Sequence, residues 1–316
     1  MTCHNCNTTC KKFGKHRNGL QRFRCKQCRK TFTESHTDPL DGMYTPLDKA
    51  AQVLNLLLEG CSVNSTARLA DIHHTTILNL LSVAGEKCER LMDSRIRNVP
   101  VSDVQCDEIW GFVQKKEQNK WVNEANRKDI GDAYTFVAIE RDTKLVLAFH
   151  LGRRDQPSTQ TFIGKLRNAT ADARFQLTTD GFQAYPSAID YALIDRCDYA
   201  QLVKTYASPR EGEARYSPAD VVGAVPNPVM GNPDPGRICT SHIERQNLTM
   251  RMQIRRLTRL TNAFSKKWAN LKAALALYFA WYNFCRVHKT LRMTPAMAAG
   301  IADHIWTIPE LLGAAA

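Results

Sequence analysis

No stretch of this 316-residue chain approaches the ~18 consecutive uncharged apolar residues that a membrane-spanning helix requires. The opening residues, Met1-Thr-Cys-His-Asn-Cys6, also lack the apolar core of a secretory signal, so a cytoplasmic protein with no membrane partner is expected. Acidic side chains are absent from residues 245–292, which hold eleven Lys or Arg, and residues 1–36 set nine Lys or Arg against the single acid Glu34. Large apolar side chains are scarce in that first segment, too scarce to fold it by burial alone. No heptad pattern marks an oligomer interface. What is absent is wholesale bias as well: 43% hydrophobic and 23% charged residues exclude a disordered chain, and the length allows two or three domains with a real core.

The charge that is present is unevenly placed. With the two basic segments set aside, the remainder of a chain of net charge +12 is net acidic. Basic arms around an acidic body suit a polyanionic partner, because phosphate neutralisation drives non-specific nucleic-acid affinity; the plain alternative is a solvated Lys/Arg surface.

Eleven cysteines in a reducing compartment point to metal ligation or buried thiols over disulfides, and five crowd the first 28 residues. Cys3-x2-Cys6 and Cys25-x2-Cys28 form two knuckles at the spacing of a four-cysteine zinc site, and Zn²⁺ would supply the staple that residues 1–36 otherwise lack. His4 and Cys10 are spare candidates. A redox pair is the alternative for either CxxC, made weaker by the duplication and the basic setting.

From Pro46 the periodicity is helical: Leu47, Ala50, Ala51, Leu54, Leu57 and Leu58 repeat at threes and fours, and Gly60 suits a C-terminal cap. A short helix over Ser62–Ala70, a break at Asp71-Ile72-His73 and a helix from His74 through Leu91 have helix-turn-helix spacing. In a DNA-binding segment spanning 45–95, His74, Thr75, Thr76 and Asn79 would then face the major groove; the alternative is a small helical bundle linking two domains.

Beyond Pro100 strand-type runs begin. Val104–Val113, Ala133–Ile139 and Leu145–His150 read as three antiparallel strands, followed by helix Ser158–Asn168, strand Phe175–Thr179, helix Tyr185–Leu193 and strand Tyr199–Tyr206. The order β-β-β-α-β-α-β is that of a ribonuclease H-like core. The expected fold is therefore α/β: a mixed five-stranded sheet with helices over 100–290, preceded by a zinc ribbon and a helix-turn-helix-like segment. Residues 207–240, rich in Pro, Gly and Asn, show no periodic segment and read as a long surface loop. Basic helix Thr240–Leu260 and helix Lys266–His288 follow, the latter with an aromatic stripe better suited to core packing than to base stacking. Residues 291–316 read as a short tail with Pro295 and Pro309.

Three carboxylates stand in contexts that metal-assisted phosphoryl transfer needs. Asp107 lies within the apolar run Val104-Gln-Cys-Asp-Glu-Ile-Trp-Gly-Phe-Val113, Asp180 ends Phe175–Asp180, and Glu244 opens the basic helical stretch Glu244–Arg251. A carboxylate in a buried strand is costly unless paired or metal-bound. Two strand carboxylates and one helix carboxylate can converge on a pair of ions about 4 Å apart, and hard oxygen ligands suit Mg²⁺ or Mn²⁺. Neighbouring Glu108 points to the opposite strand face and reads as a surface carboxylate; His242, near the start of the helix, reads as a local structural residue.

With Asp107-Glu-Ile-Trp110, Thr179-Asp-Gly-Phe182, Ser241-His-Ile-Glu-Arg-Gln-Asn247 and Arg255-Arg-Leu-Thr-Arg-Leu-Thr261 in order, nearly the whole chain resembles the IS1 family of bacterial insertion-sequence transposases. The resemblance implies a DDE transposase in which Asp107, Asp180 and Glu244 hold the metal ions. It also implies binding to terminal repeats, hydrolytic exposure of a 3′ hydroxyl and its transfer to target DNA. Arg251, two turns after Glu244, matches the basic residue that accompanies the last glutamate in many such enzymes and would hold phosphate; Arg255, Arg256 and Arg259 would contact DNA. Double-stranded DNA at element ends and target, association with the nucleoid, and at least a dimer on DNA are the partners implied. A DNA-binding regulator derived from such an enzyme and a nuclease on the same core are the rival readings.

Overall fold

The structure, a computed structural model, describes residues 1–3, 5–16, 19–34, 40, 42–207 and 221–314. His4 and most of the first half of the expected loop 207–240 lie outside the described residues. The chain divides into two compact units, residues 1–39 and 40–315.

The smaller unit is a three-stranded antiparallel sheet of β1 (Cys10–Lys15), β2 (Gln21–Cys25) and β3 (Thr31–Thr33), in that order. Its apolar interior is little more than Cys3, Cys10 and Cys25 with Phe23 and Phe32 against them. Both knuckles turn the same way: Asn7 and Arg29, each one residue past the second cysteine of its pair, adopt left-handed φ of 53° and 57°.

The larger unit opens with three helices, α1 (Leu47–Leu58), α2 (Val63–Ala70) and α3 (His74–Arg95). Gly60 ends α1 at φ 83°, with its own amide on Leu57 O and the Cys61 amide on Leu56 O, the paired bonds of a Schellman cap. Ser62 caps α2 by accepting from the Ser65 amide, and Asp71 turns the chain at φ 48° into α3. Strands β4 (Asp103–Val113), β5 (Gly131–Glu140) and β6 (Val146–Gly152) follow, then α4 (Gln156–Ala169), β7 (Phe175–Asp180), α5 (Tyr185–Leu193), β8 (Cys197–Tyr206) and β9 (Val221–Met230). The last helices are α6 (Ser241–Gln253), α7 (Trp268–Phe284), α8 (Pro295–Ala298) and α9 (Ile308–Ala314).

The sheet is mixed and six-stranded, ordered β6-β5-β4-β7-β8-β9, with β4, β7 and β8 parallel and the other neighbours antiparallel. Five strands were expected. The sixth, β9, falls inside the segment read as an irregular loop, and it pairs with β8 from Tyr199↔Met230 to Tyr206↔Val221. It shows no apolar alternation because it is an edge strand with both faces largely exposed, and an edge is where Pro226 and Pro228, lacking an amide hydrogen, are tolerated.

Segment 45–95 is not a body of its own: α1–α3 share one hydrophobic core with the sheet and α7. At Gly85 of α3 an added Cβ would come within 2.4 Å of Ala273 Cα of α7, so the helices cross at backbone contact. Buried Asn283 pins α7 to the sheet edge, accepting from the Val146 amide at 3.0 Å and donating to the Val146 carbonyl at 2.9 Å. The expected tail is also part of this core. Ile308, Leu311 and Leu312 of α9 are buried against α1, α3 and α7, and Trp306 stacks on Phe284 with ring centroids 4.6 Å apart. The helix expected over 240–260 stops at Gln253. Ile254 leaves the helical region, and a short 3-10 turn, Arg255–Leu257, follows.

Candidate active site

The parallel ladder between β4 and β7 pairs Asp103 with Gln176, Val104 with Leu177 and Gln105 with Thr178, and then stops. Continued by two residues, the same register sets Asp107 opposite Asp180. Beyond the last pair the two strands part, and their carboxylates occupy the opening. Oxygens of Asp107, Glu108 and Asp180 lie within 4.8 Å of one another.

Each oxygen has a definite setting. Asp107 Oδ1 accepts from the Glu108 amide at 2.8 Å, and Oδ2 from Asn247 Nδ2 of α6 at 2.8 Å. Asp180 Oδ1 accepts from the Phe182 amide at 3.0 Å. Arg154 bridges the remaining pair, donating through Nε to Glu108 Oε2 at 3.1 Å and through Nη2 to Asp180 Oδ2 at 3.2 Å, while its guanidinium lies 4.2 Å from the Phe182 ring centroid. The Tyr185 hydroxyl is buried beside the Glu108 carboxylate and favours its charged form, and neither Glu108 Oε1 nor that hydroxyl has any other partner.

Glu108 corrects the sequence reading. It does sit on the strand face opposite Asp107, yet its side chain is only 2% exposed. The run Val104–Val113 carries apolar residues at both parities, with α6 packed on β4 and Arg154 and Tyr185 closing over Glu108. That lack of alternation was the signal available in the sequence.

Negative charge is in excess here. Burial, then the charge of Asp180, pushes Asp107 up to about 7. The same two causes, in the same order, push Glu108 up to about 7, and burial raises Asp180. Carboxylates crowded in this way resist ionising together. A divalent cation bound among them would remove that penalty, and an all-oxygen donor set of converging carboxylates fits Mg²⁺ or Mn²⁺.

Glu244 stands outside that group of three. It lies in the first turn of α6, its carboxylate accepting from the Thr240 hydroxyl and paired with Lys204 of β8, and its charge reaches Asp107 as a smaller upward push. What aims α6 at the strands is Gln105, which sequence reasoning passed over. Two residues before Asp107 and on the same strand face, buried Gln105 accepts at Oε1 from the His242 amide at 3.0 Å and the Ile243 amide at 3.2 Å, filling the helix N-terminus. His242 itself has Nδ1 3.3 Å from Lys144 Nζ, and burial and then Lys144 hold its pKa down, in keeping with a structural residue.

Arg251 shares α6 with Glu244 but faces inward, donating to the carbonyls of Leu257 and Trp110, both at 3.1 Å. Arg256 is half-buried, with Nη1 on Ser265 Oγ at 3.1 Å and Nη2 without a partner; burial lowers both arginines to about 10. Arg255 and Arg259 are exposed on a separate turn, because α6 ends before them. At the start of α3, His74, Thr75 and Asn79 are exposed and Thr76 is half-buried, with the Thr75 hydroxyl 2.8 Å from His73 Nδ1.

In the smaller unit Cys3, Cys6, Cys25 and Cys28 offer four sulfurs within 4.8 Å of one another, with Cys3–Cys28 at 3.5 Å and Cys6–Cys25 at 3.4 Å. Both pairs cross between knuckles, all four cysteines are free, and Cys10 stands outside the set. The Thr8 hydroxyl, with the Cys28 amide, holds the Cys25 thiol down to about 5. Four convergent cysteine sulfurs at this spacing fit tetrahedral Zn²⁺.

No protein-family model matches this chain, and no curated protein does. Among solved structures, the Mos1 strand transfer complex matches 50% of this chain and 59% of its own at 14% identity and a TM-score of 0.20. A pre-cleavage Mos1 transpososome matches 50% of this chain and 60% of its own at 13% identity and a TM-score of 0.21. The chain thus spans about three-fifths of those chains, and a likeness at this level carries no weight for fold or activity.

Proposed function

We propose that the larger unit is a ribonuclease H-like catalytic domain and the protein an IS1-type DDE transposase, which binds the ends of an insertion sequence and cuts and joins DNA with Mg²⁺ or Mn²⁺. The observation that carries this is the convergence of the Asp107 and Asp180 carboxylates just beyond the end of the β4–β7 parallel ladder, with Glu244 on α6, which packs on β4. The mixed sheet, with β4, β7 and β8 parallel at its centre, supports this reading.

In this assignment Asp107, Asp180 and Glu244 hold the metal ions. Bound there, they would activate a water or a 3′ hydroxyl and offset charge on the leaving oxygen. The chain's own contribution is positional. Asn247 fixes the Asp107 carboxylate, Gln105 fixes the α6 N-terminus that carries Glu244, and Arg154 supplies positive charge at the rim. We assign Arg251 to bracing the end of α6 against β4 rather than to gripping phosphate. The four-cysteine ribbon, folded by zinc, and the start of α3 would recognise the element ends.

The test incubates purified protein and Mg²⁺ with labelled DNA bearing the repeats that flank its gene, beside an Asp180→Asn control. Cutting and joining that vanish in the control support a transposase. Cutting without joining would make it a nuclease, and tight binding with neither would make it a DNA-binding regulator.

A further inference from the structure

Within the larger unit, α2, α3, the Arg255–Leu257 turn and the start of α7 enclose a cleft of about 620 Å³. Its lining includes apolar Leu58, Leu81 and Leu277, and polar His74, Thr75 and Asn79 of α3. Four cations, Arg255, Arg256, Lys266 and Lys267, also line it, and no Asp or Glu lines the cleft among the described residues.

We infer that this cleft seats the phosphodiester backbone of a DNA duplex, so that the start of α3 and the basic turn after α6 form one DNA-contacting surface rather than two. The inference rests on the DNA-processing reading above for the identity of the polyanion, and it adds Lys266, Lys267 and the start of α7 to the contact surface.

Three independent features converge on an anion. Arg256 is half-buried in the cleft wall, hydrogen-bonded to the Ser265 hydroxyl, and no acidic side chain lines the cleft beside it. A cation partly withdrawn from water without a counter-charge is costly, and a phosphate oxygen would satisfy it. The 17-residue α7 begins among the cleft-lining residues with no side-chain cap, which leaves the positive end of its dipole beside the cleft. Lys266 and Lys267 are exposed at the rim, on a loop held in place by Phe264, whose ring packs 4.7 Å from that of Phe112 in β4 and lies 3.2 Å from Lys266 Nζ. The apolar part of the lining favours no charged ligand by itself; the absence of acids from the lining decides for a polyanion.

The experiment uses the full chain carrying Asp180→Asn, without added divalent cation, so it stands apart from strand cleavage. Lysines are acetylated with and without a labelled DNA duplex and mapped by mass spectrometry, with exposed Lys128 as the reference. Protection of Lys266 and Lys267 but not Lys128 is expected. The Lys266→Ala/Lys267→Ala variant, folded as the parent by circular dichroism, should show a salt slope of binding shallower by about 2, one phosphate contact per lysine. Equal modification of all three lysines with DNA bound, or an unchanged slope, would overturn the inference.

Discussion

Asn247 donates its side-chain amide to Asp107 Oδ2 at 2.8 Å, tying the helix that carries Glu244 to the strand that carries Asp107. The two lie far apart in the chain, and Asn247 is the one direct polar link between them among the hydrogen bonds of these two carboxylates. Outer residues that orient metal-binding carboxylates typically matter by 10–100-fold. Asn247→Ala is expected to weaken Mn²⁺ binding, followed by electron paramagnetic resonance, by about tenfold or more. Wild-type affinity in the variant would show that Asp107 is held without it.

Stability should depend on pH through the same cluster. Asp107 and Glu108 have folded pKa values near 7, above their ordinary carboxylate values. Between about pH 4 and 7 the folded protein therefore keeps protons that the unfolded chain has lost, and stability falls as pH rises across that window. With metal-free protein the difference in unfolding free energy between Glu108→Gln and the parent, from urea denaturation, should grow in favour of the variant from pH 4.5 to 7.5, by about a few kcal/mol at most since the carboxylates are coupled. Added Mn²⁺ should raise the parent more than the variant. A pH-independent difference would mean that Glu108 is already neutralised by Arg154.

Zinc should be the staple of the smaller unit. With so small an apolar interior, Cys25→Ser is expected to lower bound zinc measured by atomic absorption and to unfold residues 1–39, leaving the larger unit's melting transition in place. Undiminished zinc would remove Cys25 from the ligand set.

The α3–α7 crossing tolerates no side chain at Gly85. Gly85→Ala forces its methyl onto Ala273, and thermal or urea denaturation should report a loss of about 1–3 kcal/mol. No loss would mean that the two helices part readily.

Arg251 separates a bracing role from a DNA-gripping one. Arg251→Ala leaves the carbonyls of Leu257 and Trp110 without their donor, which should lower stability by about 1–3 kcal/mol while the salt slope of DNA binding stays unchanged. A shallower slope at unchanged stability would return Arg251 to the DNA path.

Sequence by itself determined what depends on local pattern. The knuckle spacing placed four sulfurs that the fold then brings together, the helical repeats and Gly60 placed α1, and the element order from Val104 to Tyr206 placed five strands and two helices, because propensity, capping and periodicity act over a few residues. Tertiary structure alone decided the rest. Strand β9 pairs with the open edge that β8 offers, Glu108 is buried where Arg154 and Tyr185 close over it, and Arg251 turns inward to the carbonyls of Leu257 and Trp110. Whether Asp107 meets Asp180 depends on where a parallel ladder stops, and whether His74 shares a cleft with Arg256 depends on how α3 packs against α7. Those are contacts between residues distant in the chain, and their energies come from burial and pairing that no local window contains.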